Sequence, residues 1–578
     1  MRHLHRLEPR RRSAIAPLFW ALVLLALPVS AQTEDSGDPE GLFFDVTNIN
    51  VVNVEVYVTD RQGNRVTGLT PDDFEVFENG QPMEVTNFYA VANGRPQTST
   101  TPGSDAAPTA NDRRDELRLS EIDIPEEQKL HLIIYVDNYN LHPATRNRTL
   151  ARMHRFVSQS VRREDRVMVV SYDQSVRVRQ PFTSDIDLAT TALLDLEELA
   201  AGAVNRDADR LSYLEDIEEA EDARQAVQYA RSFADAVYTE MDFNLRGLEQ
   251  QISALSGLPG RKAMLYVSDG IPSVVGEDLF LFVDEIFERS NARLEASAYD
   301  LTSRYREIVA KANANNITFY TLDAGGLQAH DSISAEYKGT RAGGSLIYVD
   351  SVRNANLQEP LHRLADDTGG QAITNTNAIE ANLANVTEDF RNYYSLGYQA
   401  PHNGDGRYYR IEVKTKKKGL KVRHRNGYRD KTPEARLTDG SVATLYFGNE
   451  TNPLGVDISF SEPTADGRHY VVPMSLEIPL DKIALAPQEG FFIGRVKVSV
   501  VVMDEEGGVS PVQQQEPLNL RIPAEEIETA REKKFFYDLG LAVRPGFSRI
   551  AIGIRDELSA EMSFLRKSVN IGSRASNR

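Results

Sequence analysis

The 578-residue chain has no cysteine and one tryptophan, and beyond its first thirty residues no apolar run is long enough to span a bilayer. The missing thiols exclude cysteine nucleophiles, disulfide frameworks, cysteine-ligated zinc and an acylated lipoprotein anchor. Also missing are His-Glu-x-x-His, Gly-x-Ser-x-Gly, the phosphate-binding Gly-x-x-x-x-Gly-Lys-Ser/Thr and a Gly-x-Gly-x-x-Gly after a strand. The common signatures of zinc peptidases, serine hydrolases and nucleotide-binding enzymes are therefore absent. Positive charge is in deficit, with 65 Lys and Arg against 85 Asp and Glu, which disfavours nucleic-acid backbones as partners. The 41% hydrophobic and 26% charged fractions are those of globular protein and exclude a polytopic membrane protein, a collagen-like fibre and a wholly disordered chain. At ~100–200 residues per domain, the length implies three or four domains.

The N-terminus carries addressing information. Arg2, Arg6, Arg10, Arg11 and Arg12 form a basic start, Ala14–Leu27 is almost wholly apolar, and Val29-Ser30-Ala31 ends it with small residues. This is the order of a Sec-type signal peptide, residues 1–31, cut after Ala31, and it implies a secreted or periplasmic mature protein. No transmembrane segment remains after its removal.

Residues 32–40 form an acidic, polar linker. A small β domain is expected at 42–92: Val52, Val54, Val56 and Val58 alternate with polar positions, Thr70-Pro71-Asp72-Asp73 is a helix-start signal, and Asn79-Gly80 is a hairpin turn. Residues 93–124, rich in Thr, Pro, Ser, Asp and Arg, are expected to be a flexible linker. From about residue 125 to 430, apolar strands alternate with helical stretches, the pattern of a central doubly wound, mostly parallel sheet with helices on both faces. Expected strands are Leu130–Val136, Arg166–Tyr172, Val176–Phe182, Ala263–Val267 and Ile317–Leu322. Sites in such sheets lie outside the carboxyl ends of the strands, so Asp137, Asp269 and Asp323, each next to a strand end, should gather at one rim.

Ile133-Ile134-Tyr135-Val136-Asp137 and Leu265-Tyr266-Val267-Ser268-Asp269-Gly270 resemble a von Willebrand factor type A (VWA) domain. The runs Val54–Asp60, Gly68–Gly80, Tyr393–Tyr398 and Arg423–Tyr428 are similar to the VWFA-related proteins of Acidobacteria and neighbouring phyla, over roughly residues 42–430. The resemblance implies a metal-ion-dependent adhesion site, with Mg²⁺ held by an Asp-x-Ser-x-Ser run, a threonine and a second aspartate. Asp137 and Asp269 match the two aspartates. Tyr139 and Leu141 replace the serines, so the site is degenerate and allows at most weak Mg²⁺ binding; hydrogen-bonded structural carboxylates are the plainer reading. Asn138, Tyr139, Asn140 and Asp323 complete the expected partner-binding rim. His142 is close enough to act as a base, although a lone loop histidine is usually a surface residue.

A helical insertion is expected at about 206–255, with an acidic first half that reads as a solvated face or a docking surface. Tyr408–Val413 and Gly419–Arg425 are expected as a hairpin across a lysine-rich turn, solvated or in contact with an acidic partner or lipid. After a polar linker near 430–439, strands expected from Ala443 onwards imply a C-terminal immunoglobulin-like β-sandwich at 440–573. The whole is expected to be a multidomain α/β plus all-β bacterial protein that binds an unidentified envelope or extracellular protein. Its role is adhesion or scaffolding and not catalysis, with no certain cofactor. A carboxylate-based hydrolase at the same rim and a purely structural envelope protein are the alternatives.

Overall fold

The computed structural model describes residues 51–92, 95–97, 129–162, 165–200, 202–288, 290–327 and 343–572. The expected signal peptide at 1–31 lies outside the described residues, as does the linker at 93–124 apart from the short strand Arg95–Gln97. The chain divides into two compact units, one spanning Asp45–Asn449 and one holding Glu450–Arg578.

The larger unit is built on six strands: β1 (Leu130–Val136), β2 (Arg166–Tyr172), β3 (Val176–Thr183), β4 (Arg261–Ser268), β5 (Ile317–Asp323) and β6 (Gln371–Ile373). They lie in the order β6-β5-β4-β1-β2-β3, parallel except where β2 meets β3. β1 is apolar at almost every position because both its faces are covered. Ile133 and Tyr135 enter one core with Leu245, Leu248, Phe280 and Ile308, while Leu132, Ile134 and Val136 enter the other with Leu150, Met153, Leu193 and Leu383. Chain order reverses between β1 and β4, so a crevice opens at their carboxyl ends.

The helices are α1 (Pro143–Ser160), α2 (Ile186–Asp195), α3 (Ala203–Glu219), α4 (Ala223–Ala254), α5 (Glu277–Ile286), α6 (Thr302–Ala314), α7 (Gly343–Asp366) and α8 (Ile379–Arg391). α1, α2 and α8 cover one face of the sheet and α3 to α7 the other. The helical insertion is the pair α3 and α4. Its turn is fixed by Asp222, whose carboxylate accepts from the Gln225 N–H at 2.9 Å. Asp209, Asp216, Glu219, Glu221 and Asp222 are exposed, as on a solvated face.

The strands of residues 51–92 do not close a domain of their own. Val51–Thr59 pairs with Tyr393–Gln399, which also pairs with Val85–Ala92, and Phe74–Glu78 pairs with Tyr408–Thr415. Two sheets result, sharing a core of Val52, Val54, Val56, Val58, Phe74, Leu396, Tyr398 and Ile411. The boundaries 42–92 and 125–430 are corrected accordingly: residues 393–429 complete the N-terminal β module, because its strands pair with them and its buried valines share their core. Lys421–Arg423 pairs with Tyr57–Thr59 in the other sheet, so the expected hairpin across the lysine turn is also not formed. Arg423 instead clamps the module to the α/β layer, donating to both oxygens of Asp389 at 2.8 and 2.7 Å.

Ala443–Phe447, expected as a strand, ends the helix Pro433–Phe447, and the polar linker near 430–439 is its start. Thr432 caps it by accepting from the Ala435 N–H at 3.1 Å, Pro433 fills its first turn, and Gly448 closes it at φ 70.

In the second unit, Asp457–Phe460, His469–Pro479 and Lys534–Val543 form one antiparallel sheet, and Phe491–Met503, Leu518–Pro523, Gly546–Asp556 and Met562–Ile571 form another. Val472, Leu476 and Leu541 of the first share a core with Val498, Val500 and Ile552 of the second.

Candidate functional site

The crevice at the carboxyl end of the sheet holds a cavity of about 310 Å³. Phe233, Val237, Met241 and Val275 make its apolar wall, and Asn140, His142, Arg206, Asp207, Asp269 and Arg353 are among its polar groups. Three strand ends meet here: the Asp137 N–H donates to Val267 O, Asp269 N–H to Asn140 O and Ala324 N–H to Ser268 O. Gly270 allows the turn after Asp269 at φ +112, where a Cβ would stand 2.8 Å from Leu357 Cβ.

Asp137 is completely buried and faces inward. Its Oδ2 accepts from Asn140 Nδ2 at 2.7 Å, Tyr266 OH at 2.5 Å and Ser268 Oγ at 3.4 Å, and its Oδ1 from Asn244 Nδ2 at 2.9 Å. Burial raises its pKa against the lowering effect of those hydrogen bonds. Asp269 Oδ2 accepts from the His142 N–H, His142 Nδ1 and Thr145 Oγ1, each at 2.8 Å. Asp269 Oδ1 is buried and has no hydrogen-bond partner among the described residues.

His142 organises the rim. Its Nδ1 meets Asp269 and its Nε2 meets Asp207 Oδ2, both at 2.8 Å. The hydrogen bonds to Asp207 and then Asp269 push its pKa up to about 9, so the ring is an imidazolium at neutral pH. Burial pushes Asp207 up, but the His142 hydrogen bond and the Arg353 charge outweigh it and hold the carboxyl below the usual range. Arg353 Nη2 donates to Asp207 Oδ1 at 2.7 Å, and Arg206 Nη1 to Asn140 Oδ1 at 2.6 Å. Below them Arg210 is buried between Asp278, at 2.6 Å, and Asp350, at 3.3 Å.

These contacts answer whether Mg²⁺ fits. A hard cation requires several free oxygen ligands at ~2.0–2.1 Å. Asp137 is saturated by N–H and O–H donors, Leu141 is fully buried in apolar core, and the imidazolium places positive charge beside Asp269. Asp269 Oδ1 remains as the unpartnered carboxylate oxygen, and the set does not fit the metal.

The expected rim is corrected in its membership. Asn140 lines the cavity. Asn138 is fully buried and turned away, accepting from Arg146 Nη1 at 2.6 Å and donating to Ala200 O at 2.7 Å. Tyr139 packs edge-on against Tyr172 with Arg206 above its ring. Asp323 is 1% exposed and accepts from the Gly325 N–H and Gln358 Nε2, both at 3.0 Å. Burial, then the charge of Asp269, pushes its pKa up to about 7. Arg206 and Arg353 were not anticipated at the rim, and Asp207 only as one acid of the helical insertion. They come from α3 and α7, and no local spacing connects them to His142.

A second histidine is held the same way in the β module. His402 Nδ1 meets Asp430 Oδ2 at 2.8 Å and its Nε2 meets Glu78 Oε1 at 2.9 Å. His402, Asp405 and Asp430 offer ligand atoms within 4.8 Å of one another, but both ring nitrogens are already committed to carboxylates.

No family model matches the chain, and no curated protein matches it. Among solved structures it is similar to BatB from Bacteroides thetaiotaomicron, at 13% identity over 45% of this chain and 98% of that one, with a TM-score of 0.21. It is also similar to a von Willebrand factor type A protein from Catenulispora acidiphila, at 10% identity over 78% and 67% of the two chains with a TM-score of 0.20. A third is the manganese-loaded TRAP protein of Plasmodium vivax, at 9% identity over 52% and 94% with a TM-score of 0.19. At such TM-scores the superpositions carry no argument; the strand order itself gives a central sheet that is mostly parallel and doubly wound.

Proposed function

We propose that the chain is an exported, non-catalytic bacterial protein that binds another protein at the carboxyl rim of its central sheet without a metal ion. The observation that carries the reading is the placement of His142 at 2.8 Å from both Asp269 and Asp207, two carboxylates that favour the protonated ring and so the positive charge a cation supplies in a metal-dependent site. The β module supports the α/β layer that carries the rim, and the C-terminal unit is read as immunoglobulin-like. Among the described residues no helix is long and apolar enough to cross a membrane.

The partly exposed groups for a partner are His142, Asp207 and Arg353, with the α3–α4 pair beside them. Pull-down from envelope extract with the mature protein tests this. Capture is expected to survive chelator and to be lost in Asp207→Ala and Arg353→Ala proteins of unchanged circular dichroism. Capture abolished by chelator, or unaltered in both variants, would sink the proposal. The second reading, hydrolysis, is favoured by the raised pKa of Asp323 beside Asp269, yet both carboxylates are buried and hydrogen-bonded, which suits structure better than turnover.

A further inference from the structure

At the opposite, amino end of the central sheet a second cavity of about 300 Å³ lies against the β module. Its charged lining is Lys262, Arg425, Arg429, Lys431 and Arg436 against one carboxylate, Asp430. That carboxylate is already used: it accepts from His402 Nδ1, the Gly404 N–H and Arg436 Nη2. Lys431 is matched by Asp439 at 2.6 Å. Lys262 and Arg425 are not matched. Lys262, 5% exposed, donates to Leu258 O at 2.6 Å. Arg425 donates to Asn313 O and Asn53 O at 3.2 and 2.8 Å, and its Nε is buried with no partner. Among the described residues neither side chain pairs with a carboxylate.

Lys262 is buried and Arg425 half-buried, and both make direct hydrogen bonds only to carbonyls. Glu55 acts on both charges from a distance, Asp439 acts on Lys262, and the Tyr428 ring lies 5.9 Å from the Arg425 guanidinium. Charges so weakly countered are costly to a fold. An ammonium with two unused N–H donors beside a guanidinium with a free Nε–H is, conversely, a donor set suited to a tetrahedral oxyanion, which accepts several charge-assisted hydrogen bonds at once. We infer that this cavity binds a phosphate group, free or carried on a small ester, with Lys262 and Arg425 as its principal contacts and Arg429 at the mouth. The volume exceeds that of phosphate alone and leaves room for an organic portion. Burial, and then the charges of Lys431 and Arg425, outweigh the opposing carboxylates of Glu55 and Asp439 and lower the pKa of Lys262 to about 7, and a bound anion reverses this. Ligand binding near neutral pH is therefore coupled to proton uptake. The site is remote from the rim, and the inference stands whether or not the rim binds a protein.

Calorimetric titration of the mature protein at pH 7.5 and low salt, in Hepes and in Tris, tests it with pyrophosphate, glycerol 3-phosphate and citrate. Co-sedimentation with phosphatidylglycerol vesicles distinguishes a lipid headgroup from a soluble ester. The expected result is binding of a phosphate compound whose apparent enthalpy differs between the two buffers by an amount reporting proton uptake. Lys262→Met is expected to weaken it at least tenfold and abolish the uptake, and Arg429→Ala, at an exposed position, to weaken it severalfold with the fold intact. Phosphate-dependent vesicle binding lost in the same variants supports the site and identifies a lipid source. Absence of binding to every phosphate probe, preference for citrate, or affinity unchanged in both variants overturns it.

Discussion

The two ends of the central sheet treat charge differently. At the carboxyl rim, Arg210 sits between Asp278 and Asp350, Arg353 meets Asp207, and His142 bridges Asp207 and Asp269. At the amino end, Lys262 and Arg425 rest on backbone carbonyls. The first arrangement is self-sufficient and can hold a shape for a partner without an ion. The second is incomplete and is stabilised by whatever anion enters it. The difference predicts opposite consequences for removing a cation.

The largest effect is expected at the rim. Arg210 is 3% exposed, and Arg210→Ala removes the positive charge it places between the buried carboxylates of Asp278 and Asp350. Breaking such a buried network typically costs ~3–5 kcal/mol, to be read as a lower urea midpoint at unchanged slope. A loss under ~1 kcal/mol would mean that the network is not closed as described.

At the amino end the sign reverses. Without ligand, Lys262→Met is expected to raise stability by about 1–3 kcal/mol at pH 6, since it removes a buried charge and keeps the volume. The pH dependence follows from linkage. A folded-state pKa lowered to about 7 means the unfolded chain binds the proton more tightly, so the penalty is complete below pH 7 and fades as pH rises towards the ordinary lysine value of ~10.4. The gain from the substitution should therefore shrink between pH 7 and 10. A variant less stable than the parent at pH 6 would show that the charge is compensated after all.

What the sequence made legible follows the range of each signal. The alternation of Val52, Val54, Val56 and Val58 marked a one-faced strand, and all four are buried. Asn79-Gly80 marked a turn, and both residues have positive φ. These are properties of neighbours. That Val51–Thr59 pairs with Tyr393–Gln399 is not, because partners separated by more than three hundred residues leave no local period to read. Thr432-Pro433-Glu434 carries the same start signal as Thr70-Pro71-Asp72, yet the apolar Ala443–Phe447 behind it mimicked a strand and concealed a helix. At the rim, Asp137 and Asp269 were recognisable as strand-end carboxylates. The His142–Asp207–Arg353 chain was not, since its members lie 65 and 146 residues apart on three elements.

A smaller effect tests the imidazolium, and it is best measured in the Lys262→Met background, where the opposing lysine titration is gone. With the folded pKa of His142 raised to about 9 above an unfolded value of ~6.5, its contribution is complete below pH 6.5 and is lost as pH rises through 9. The ring is 37% exposed, so solvent screening limits the change to about 1 kcal/mol or less. His142→Gln should flatten the decline in stability between pH 7 and 10. An equal decline in both proteins would assign it to another group.

The smallest effect concerns Mg²⁺, and it decides whether the rim differs from a metal site in kind. With Asp137 saturated, Leu141 buried and the imidazolium beside Asp269, the affinity should be no tighter than roughly millimolar, the weak end of hard-cation sites. Stabilisation then follows RT ln(1 + [L]/Kd), so ~1 mM Mg²⁺ adds no more than about 0.4 kcal/mol and barely moves Tm. Asp269 Oδ1, buried and without a partner among the described residues, is the atom through which a cation would bind if this reasoning failed. A micromolar Mg²⁺ affinity by calorimetry, lost in Asp269→Asn, would show that the cation displaces the His142 proton. The rim would then resemble the amino end, a charge arrangement completed by an ion from outside.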